Sequence, residues 1–296
     1  MTDVAVLTPD PADSAYSTLW PGVLDRLGEA LATTGITARP TPWTDHVENA
    51  RALMDFPLVL PLLVWGYHQD HERWRQACAT WVEAGAPLAN PAATLRWNAD
   101  KRYLARLAEN GVAVPETIFA DHVDAGVVEA AFAATGAETL IVKPTVSGGA
   151  WRTLRVAAGD LLDAALTDAP VGGAMIQPYL KAIETEGETS LLYFGGELSH
   201  VVNKRPGQAG EFRIQTQYGG RYQVLNTAPQ GALDLAERTL SAIDEDLLYA
   251  RIDMTRNDDG DWVLMEAELI EPDFYLAAAP EAGARFGQAV RARLER

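Results

Sequence analysis

The chain has 296 residues, of which 24 are basic and 41 acidic, giving a formal net charge of −17 at pH 7. This excess of negative charge repels nucleic-acid phosphates and anionic lipids, and so argues against a nucleic-acid-binding or membrane-surface protein. The single cysteine, Cys78, excludes an intrachain disulfide and a cysteine-rich metal site. We interpret Cys78 as a buried apolar residue of a helix.

The apolar segment FPLVLPLLVW, residues 56–65, is too short to span a bilayer, and two prolines interrupt it. The opening residues lack the basic start and long apolar run of a secretory signal peptide. We therefore expect a soluble, cytoplasmic protein.

Strand and helix patterns alternate over the first third of the chain. The predicted strands are residues 4–7, 36–39 and 58–65, and the predicted helices are residues 21–34 and 70–84. Such alternation favours an α/β N-terminal lobe, which we place at residues 1–95.

The rest of the chain mixes helices and strands, and strands dominate after residue 188. The predicted helices are residues 98–110, 124–135, 160–166 and 280–295. The predicted strands are residues 139–144, 174–180, 190–196, 197–203, 249–254 and 262–269. The whole is predicted to be α+β with three lobes, at residues 1–95, 96–173 and 174–296.

Two alternating apolar runs flank Asp259-Gly260, which is a strong signal for a hairpin with a two-residue turn. In that register Asp258 opposes Asp261, and Asp253 opposes Glu266. Because side chains alternate along a strand, the same register predicts that several charged groups share one face. The predicted group on this face is Arg251, Asp253, Glu266 and Glu268.

Three carboxylates on one face would repel one another without cations. Oxygen ligands of this kind suit Mg²⁺, which often also binds substrate phosphates. A solvated acidic hairpin is the alternative, and it stays open because Ile252, Met254, Met265 and Ala267 could face either side.

Lys143 ends an apolar strand and is followed by Pro144 and the turn Ser147-Gly148-Gly149. A lysine beside a glycine-bearing turn suits phosphate binding, since backbone N–H groups of the turn can approach phosphate oxygens. An ordinary loop is the alternative, and no GxxxxGK[ST] motif is present. Lys101 lies on a predicted helix, where a lone lysine is usually solvated.

Five short motifs occur in a fixed order: N-x-D-K at 98–101, V-K-P at 142–144, Q-P-Y-L at 177–180, R-x-D at 251–253 and E-x-E at 266–268. Together they resemble the ATP-grasp superfamily, most closely its glutathione synthetase and ribosomal-protein glutamate ligase branch. The resemblance covers about residues 95–275. It implies a three-lobed ATP-grasp fold with an α/β N-terminal lobe and the nucleotide held between two α+β lobes.

The resemblance also implies a role for each matching position in binding ATP. The implied residues are Lys101 and Lys143 on the phosphates, Ser147, Gly148 and Gly149 in the closing loop, Gln177, Tyr179 and Leu180 in the strand that reads adenine through backbone groups, and Glu186 on the ribose. Glu184 is the alternative ribose residue.

The same resemblance implies the metal ligands and the charged groups around the transferring phosphoryl group. Asp253, Glu266 and Glu268 match the Mg²⁺ ligands, although the family often has asparagine at the last position. Candidates for binding the acid and the phosphoryl group are Lys204, Arg213, Arg221 and Arg251. Arg213 and Arg221 belong to a glycine-rich stretch suited to a loop that closes on substrate, with a surface position as the alternative.

The activity implied is that of an ATP-dependent ligase, which activates a carboxylate as an acyl phosphate and joins it to an amine-type nucleophile. The expected partners are an amino-acid-like acid and its nucleophile, and a homodimer is a family expectation. A small-molecule kinase and a non-catalytic nucleotide-binding protein are the alternatives. The tryptophan–proline tracts of the first lobe and the sequence W-N-x-D-K-R-Y-L at 97–104 are also similar to the cyclo-ligases of D-cycloserine biosynthesis.

Three histidines carry open alternatives. His200 could act as a base or could serve packing and hydrogen bonding. His68 and His71 flank Asp70 and could bind a metal or the nucleophile, or could mark the start of a surface helix.

Overall fold

A computed structural model describes residues 2–208 and 210–296. Within those residues there are nine α-helices, and twelve strands form three separate sheets. This mixture of helix and strand agrees with the predicted α+β class. None of the described helices is long and apolar enough to cross a lipid bilayer.

The N-terminal sheet has three parallel strands in the order β2-β1-β3. The strands are β1 (Thr2–Thr8), β2 (Ile36–Pro42) and β3 (Val59–Leu60), and the helices beside them are α1 (Trp20–Ala32) and α2 (His71–Ala84). Short 3-10 helices at Trp43–His46 and Arg51–Asp55 connect β2 to β3. The predicted strand at 58–65 was too long, because the chain leaves the sheet after Leu60, where proline at 61 follows.

The C-terminal helix α9 (Ala282–Leu294) packs on α1 of the N-terminal region. The two helices approach closely at Gly287, where an added Cβ would lie 2.5 Å from the carbonyl oxygen of Ala30. A side chain at Gly287 would therefore push the end of the chain off the first sheet.

The central sheet is antiparallel, with strand order β4-β7-β5-β6. Its elements are β4 (Ile118–Ala120), α5 (Ala125–Thr135), β5 (Thr139–Pro144), β6 (Leu154–Ala157), α6 (Leu162–Ala165) and β7 (Ala174–Pro178). Strand β7 pairs with β5, so this sheet extends past the predicted boundary between residues 173 and 174. The lobe boundaries themselves stay predictions.

The predicted single helix at 98–110 is wrong. Two helices, α3 (Ala92–Asn98) and α4 (Tyr103–Glu109), are separated by a turn that contains Lys101. The turn is fixed by tertiary contact, because the Lys101 N–H donates to the carbonyl oxygen of Thr145 at 2.8 Å. Lys101 is consequently buried rather than solvated.

The C-terminal sheet is antiparallel, with strand order β10-β9-β8-β11-β12. Its elements are α7 (Ala182–Thr185), β8 (Glu188–Phe194), β9 (Glu197–Arg205), β10 (Arg221–Leu225), α8 (Gln230–Ala242), β11 (Tyr249–Arg256) and β12 (Trp262–Glu268), with a 3-10 helix at Thr216–Tyr218. Strand β10 and helix α8 were not predicted.

The two sides of the C-terminal sheet have different neighbours. On one side Leu191 and Ile252 pack in the core that includes α8, and we call this side the α8 face. On the other side Leu192 and Tyr249 pack in the core of the N-terminal sheet. This second side also carries Asp253, and we call it the carboxylate face.

The β11–β12 hairpin has a longer turn than the sequence predicted. Asn257 pairs with Asp261 at 2.8 Å, so three residues rather than two form the turn, and Asp258 does not oppose Asp261. Asp253 pairs with Glu266, and an irregularity immediately after this pair shifts the strand register back by one residue. The predicted pairing of Asp253 with Glu266 is confirmed because the two departures compensate.

Candidate active site

The three predicted metal ligands lie together on the carboxylate face. Asp253 is the cross-strand partner of Glu266, and Arg251 is the partner of Glu268. The Arg251 guanidinium donates to both Asp253 and Glu268, which joins the carboxylates of neighbouring strands. Strand register therefore brings these four side chains into one group.

Asp253 is 2% exposed and is held by three donors. Its carboxylate accepts from Ser190 Oγ at 2.6 Å, from Lys204 Nζ at 3.0 Å and from Arg251 Nε at 3.1 Å. Burial acts to raise the pKa of Asp253, but Arg251 and Lys204 outweigh burial and hold the pKa below its ordinary value. Asp253 is consequently ionised at neutral pH.

Lys204 is buried between two carboxylates, Glu188 at 2.5 Å and Asp253 at 3.0 Å. Burial acts to lower the pKa of Lys204, and the two carboxylates raise it well above the ordinary value instead. The predicted site residue is thus a permanent cation on the carboxylate face. Glu188 and Ser190 were missed, although their period-two spacing on β8 could have placed them on this face.

Glu266 is paired with Lys101, whose Nζ lies 2.9 Å from the carboxylate and 3.1 Å from the carbonyl oxygen of Ser147. Burial acts to raise the pKa of Glu266, but Lys101 and Lys143 hold it below its ordinary value. Lys101 therefore joins the carboxylate face to the glycine-bearing turn.

Two buried polar side chains fix the outer edge of β12. Asn98 donates to the carbonyl oxygen of Ala267 at 2.8 Å and accepts from Leu269 at 3.0 Å. The Tyr103 hydroxyl exchanges hydrogen bonds with Ala267. The N-x-D-K segment is thereby held against the metal hairpin, which explains how Lys101 reaches Glu266.

Lys143 is half-buried and makes no ion pair within 4 Å in the described part of the chain. Burial lowers the pKa of Lys143, although the negative charges of Glu266 and Glu188 act to raise it. An anionic group beside its ammonium would relieve this unfavourable burial. The position suits the predicted contact with phosphate.

The turn after Lys143 contacts the other two regions of the protein. Gln217 donates to the carbonyl oxygen of Gly149 at 3.2 Å, and an added Cβ at Gly148 would lie 3.4 Å from the ring of His68. Ser147 is buried, and its hydroxyl donates to the carbonyl oxygen of Pro144 at 3.4 Å. The predicted loop Ser147, Gly148 and Gly149 thus lies where the N-terminal, central and C-terminal regions meet.

The segment predicted to read adenine has one backbone donor and one backbone acceptor free. The Tyr179 N–H donates to Thr139 at 2.9 Å, whereas the Tyr179 carbonyl and the Leu180 N–H make no backbone hydrogen bond with any described residue. The Gln177 side chain donates to Thr117 at 2.8 Å, which is a structural contact.

A small apolar cluster adjoins that segment. It consists of Leu180, Ile183, Ile214 and Val263, with Met265 packed against it. Ile214 and Met265 were missed by the sequence analysis, although Met265 lies next to Glu266. An apolar slot beside free backbone groups suits a flat heterocyclic base.

Glu186 does not join the carboxylate face. It pairs with Arg256 at 3.2 Å and lines a cavity of about 260 Å³ together with Thr189 and Trp262. Trp262 packs in the core that includes α8, so this cavity opens on the α8 face. Glu184 instead accepts from the Tyr179 hydroxyl at 2.7 Å, beside the adenine segment. Of the two residues predicted for the ribose, Glu184 is the one that contacts the segment predicted to read adenine.

Arg213 and Arg221 are not brought into the carboxylate group. Arg213 donates to Glu211 through Nε and Nη2, both at 2.8 Å, and its guanidinium lies 3.8 Å from the ring centre of Tyr218. Arg221 is exposed and pairs with Arg205, while its neighbour Tyr222 pairs with Lys204. Because alternate residues of β10 point to opposite sides, Arg221 points away from the carboxylate face.

The remaining predictions concern the histidines and the cysteine. Both ring nitrogens of His200 are engaged, with Phe274 at 2.9 Å and Ser199 at 3.0 Å, which supports the packing alternative. His71 lines a cavity of about 630 Å³ with Asp100 and Arg102, whereas His68 faces the glycine turn. Cys78 is fully buried, as predicted.

Comparison with known proteins places the chain in a family. Residues 4–90 match the family model for the N-terminal domain of the D-cycloserine synthetase DcsG. Over 287 residues the chain is 30% identical to the cycloserine biosynthesis protein DcsG of Streptomyces lavendulae, covering 90% of this chain and 92% of that protein. The chain belongs to the DcsG family of ATP-grasp ligases.

Solved structures agree with this family assignment. The crystal structure of the D-cycloserine synthetase DcsG matches with a TM-score of 0.80 and 26% identity over 99% of both chains. The D-alanine–D-alanine ligase of Bacillus anthracis, complexed with ATP, matches with a TM-score of 0.70 and 18% identity over 100% of this chain and 97% of that one. The second likeness shows that the ATP-grasp fold is shared. As a DcsG-family member, this chain is an ATP-dependent ligase, which decides against the kinase and the non-catalytic alternatives.

ATP and Mg²⁺ are the usual cofactors of this family. The donors on the carboxylate face fit Mg²⁺ chemically, since all three side chains offer carboxylate oxygens. No group of three or more His, Cys, Asp or Glu side chains in residues 2–208 and 210–296 is closely enough arranged to hold a metal by itself. Lys101 is paired with Glu266 and Arg251 is paired with Glu268, so a bound ion would compete with these cations.

Proposed function

We propose that this DcsG-family ligase closes a ring, joining the carboxylate of an aminooxy amino acid to the aminooxy nitrogen of the same molecule. Opening the ring of cycloserine at its amide bond gives O-aminoserine, which carries both reacting groups. The observation that carries the proposal is that similarity to DcsG of Streptomyces lavendulae extends over 90% of the chain, including the N-terminal region.

The proposed ATP site uses residues of the central and C-terminal sheets. Lys101, Lys143 and Lys204 would hold the phosphates, and Leu180 and Met265 would pack against the base. Asp253, Glu266 and Glu268 would hold Mg²⁺. When bound, ATP supplies the phosphoryl group that activates the acid as an acyl phosphate, and Mg²⁺ neutralises charge on the phosphates.

The protein's own contribution is to hold the acid and to keep water out. Arg251 lies between the metal-site carboxylates and Tyr275, 5.3 Å from the ring centre, and is the cation we assign to the substrate carboxylate. Fixing both ends of one molecule makes attack by the aminooxy nitrogen intramolecular. Tyr275 is 5% exposed and lies beside both Arg251 and Lys204, where it excludes water that would otherwise hydrolyse the activated acid.

The test is to incubate the enzyme with O-amino-D-serine, ATP and Mg²⁺ and to measure all products. We expect ADP, phosphate and the cyclic amide in equal amounts, without a second amine. Hydroxylamine should trap the activated acid as a hydroxamate. Turnover that requires a separate amine would indicate an intermolecular ligase and would contradict ring closure.

We also infer that the partners of the chain are small molecules and a second copy of itself. The homodimer rests on the family alone, and sedimentation equilibrium measures it directly.

A further inference from the structure

Tyr275 has a left-handed backbone conformation that tyrosine rarely adopts. Its φ is +52°, and in the described part of the chain only two other non-glycine residues, Ala150 and Arg152 beside the glycine-bearing turn, have a positive φ. The conformation is fixed from both sides, because the Tyr275 N–H donates to Asp273 Oδ1 at 2.7 Å and its carbonyl oxygen accepts from Ala278 at 2.8 Å. Non-glycine residues held in this region of φ are strained, and they cluster at functional sites.

The Tyr275 ring lies over the two buried cations of the carboxylate face. The ring centre is 5.3 Å from Arg251 Cζ and 5.9 Å from Lys204 Nζ, and the residue is 5% exposed. The Tyr222 ring of β10 packs edge-on against it, with ring centres 5.1 Å apart and ring planes at 76°. The strained backbone therefore places a rigid aromatic side chain beside the cation that we assign to the substrate carboxylate.

The Tyr275 hydroxyl is available to a ligand. It makes no hydrogen bond within the described part of the chain. The Tyr193 hydroxyl on the α8 face also lacks a partner and is sealed from solvent, whereas the Tyr275 hydroxyl is not sealed. Burial raises the pKa of Tyr275, although the positive charges of Arg251 and Lys204 act to lower it, so the hydroxyl is protonated at neutral pH. It is therefore an unused hydrogen-bond donor at the end of a buried ring.

Arg251 also has one donor left for a ligand. Its Nε and Nη2 donate to Asp253 and Glu268, and its Nη1 makes one long contact of 3.4 Å with the carbonyl oxygen of Asp273. A guanidinium carries five N–H donors, so one N–H of Nη1 has no partner among the described residues. The carboxylate face thus offers two unused donors, one from Arg251 and one from Tyr275.

We propose that the Tyr275 hydroxyl and the free Arg251 N–H bind one oxygen of the carboxyl group that reacts. Tyr275 is then a further catalytic residue of the ligase, since its hydroxyl touches the reacting group. Two donors beside the positive charges of Arg251 and Lys204 select an anionic oxygen and repel an ammonium group. This inference rests on the proposed function in so far as Arg251 holds the substrate carboxylate.

The two donors act on the step that forms the new bond. The lone pair of the attacking nitrogen forms a bond to the carbonyl carbon of the acyl phosphate, and the carbonyl π electrons move onto the oxygen held by Tyr275 and Arg251. The C–O bond to the phosphoryl group then breaks, and the departing phosphate takes up the proton that the nitrogen releases. Hydrogen bonds that strengthen as the oxygen gains charge lower this barrier more than they improve substrate binding.

The experiment separates the hydroxyl of Tyr275 from its ring. Tyr275→Phe keeps the ring over both cations and removes only the hydroxyl, whereas Tyr275→Leu removes both. Single turnovers with O-amino-D-serine, ATP and Mg²⁺ are followed by ADP formation and by cyclic amide formation. For Tyr275→Phe we expect cyclic amide formation to slow about 100-fold and ADP formation to stay within about threefold of the wild type. Quenching into hydroxylamine should then recover the accumulated acyl phosphate as a hydroxamate.

The matched control is Tyr193→Phe, which removes a hydroxyl from an equally buried ring on the α8 face of the same sheet. This variant should match the wild type in both rates. The KM for ATP and the melting temperature of Tyr275→Phe should also stay near those of the wild type, whereas Tyr275→Leu should melt at a lower temperature because the ring over the cations is lost.

Two outcomes would overturn the role of the hydroxyl. Wild-type rates in Tyr275→Phe beside a loss in Tyr275→Leu would show that only the ring matters. Equal slowing of ADP and cyclic amide formation would show that the hydroxyl acts before the nitrogen attacks. A wild type that requires a separate amine would instead refute ring closure alone, and the same comparison of variants with that amine would still test Tyr275.

Discussion

The β11–β12 hairpin and the segment that runs from the loop after β9 into the start of β10 both carry charged residues that the sequence assigned to the site, yet only the hairpin places them there. On the hairpin, Asp253 and Glu266 are direct cross-strand partners. Arg213 instead pairs with Glu211 two residues away, and Arg221 points to the α8 face. Strand pairing fixes the side of the sheet that each side chain faces. In a loop, by contrast, a long cationic side chain can pair with a carboxylate a few residues away.

The largest effect that tests this contrast is expected from Asp253→Asn combined with Glu266→Gln. Both changes keep the side-chain shape but remove the charges that balance Lys204 and Lys101. We expect loss of Mg²⁺-dependent turnover and a loss of about 3 kcal/mol in unfolding free energy, because buried cations lose their partners. Activity assays and urea unfolding measure the two effects. A fully active double variant would refute the assigned metal site.

The next effect is expected from Lys143→Met, compared with Lys204→Met as its matched control. Lys143 has no ion pair in the described structure, so its replacement should leave stability nearly unchanged and weaken ATP binding by at least about tenfold. Lys204 is paired with Glu188 and Asp253, so Lys204→Met should also lower the melting temperature. Calorimetric titration with ATP and thermal unfolding distinguish the two lysines. Unchanged nucleotide affinity in Lys143→Met would contradict its role.

A smaller effect, which depends on pH, is expected at Glu271 in the segment that follows the hairpin. Glu271 has a pKa of about 8 in the folded protein, against an ordinary value of 4.5. The folded state therefore binds the Glu271 proton more tightly than the unfolded state does. The contribution of this proton to the free energy of unfolding is present in full below about pH 4.5 and is lost as pH rises through about 8. Glu271→Gln removes this loss. Full linkage would give about 4 kcal/mol of stability between pH 5 and pH 9. Because the side chain is only half-buried and solvent screens its charge, we expect the variant to gain on the order of 1 kcal/mol relative to the wild type. Parallel pH dependences in urea unfolding would contradict the assignment.

The smallest effect is expected from Arg221→Ala. Because Arg221 is exposed and lies on the side of β10 opposite Tyr222, we expect kcat/KM within about twofold of the wild type. Unfolding free energy should change by less than about 0.5 kcal/mol. A tenfold loss of kcat/KM would show that the start of β10 rearranges to bring Arg221 onto the substrate.

The sequence by itself determined the strands of the metal hairpin, the face that Asp253, Glu266 and Glu268 share, and the family motifs. It predicted the right register through the wrong turn, since a three-residue turn and an irregularity at Asp253 compensate. Alternation along a strand is a local property, so it survives a one-residue error at the turn when a bulge corrects it.

Only the tertiary structure decided which cations serve those carboxylates and what faces them. Lys101 lies in a turn rather than in the predicted helix, because its backbone N–H donates to the carbonyl oxygen of Thr145. Lys101 and Glu266 belong to distant parts of the chain and meet only after the segment around Asn98 packs against β12. Local periodicity determines which way a side chain points, but the packing of separate sheets determines what it meets.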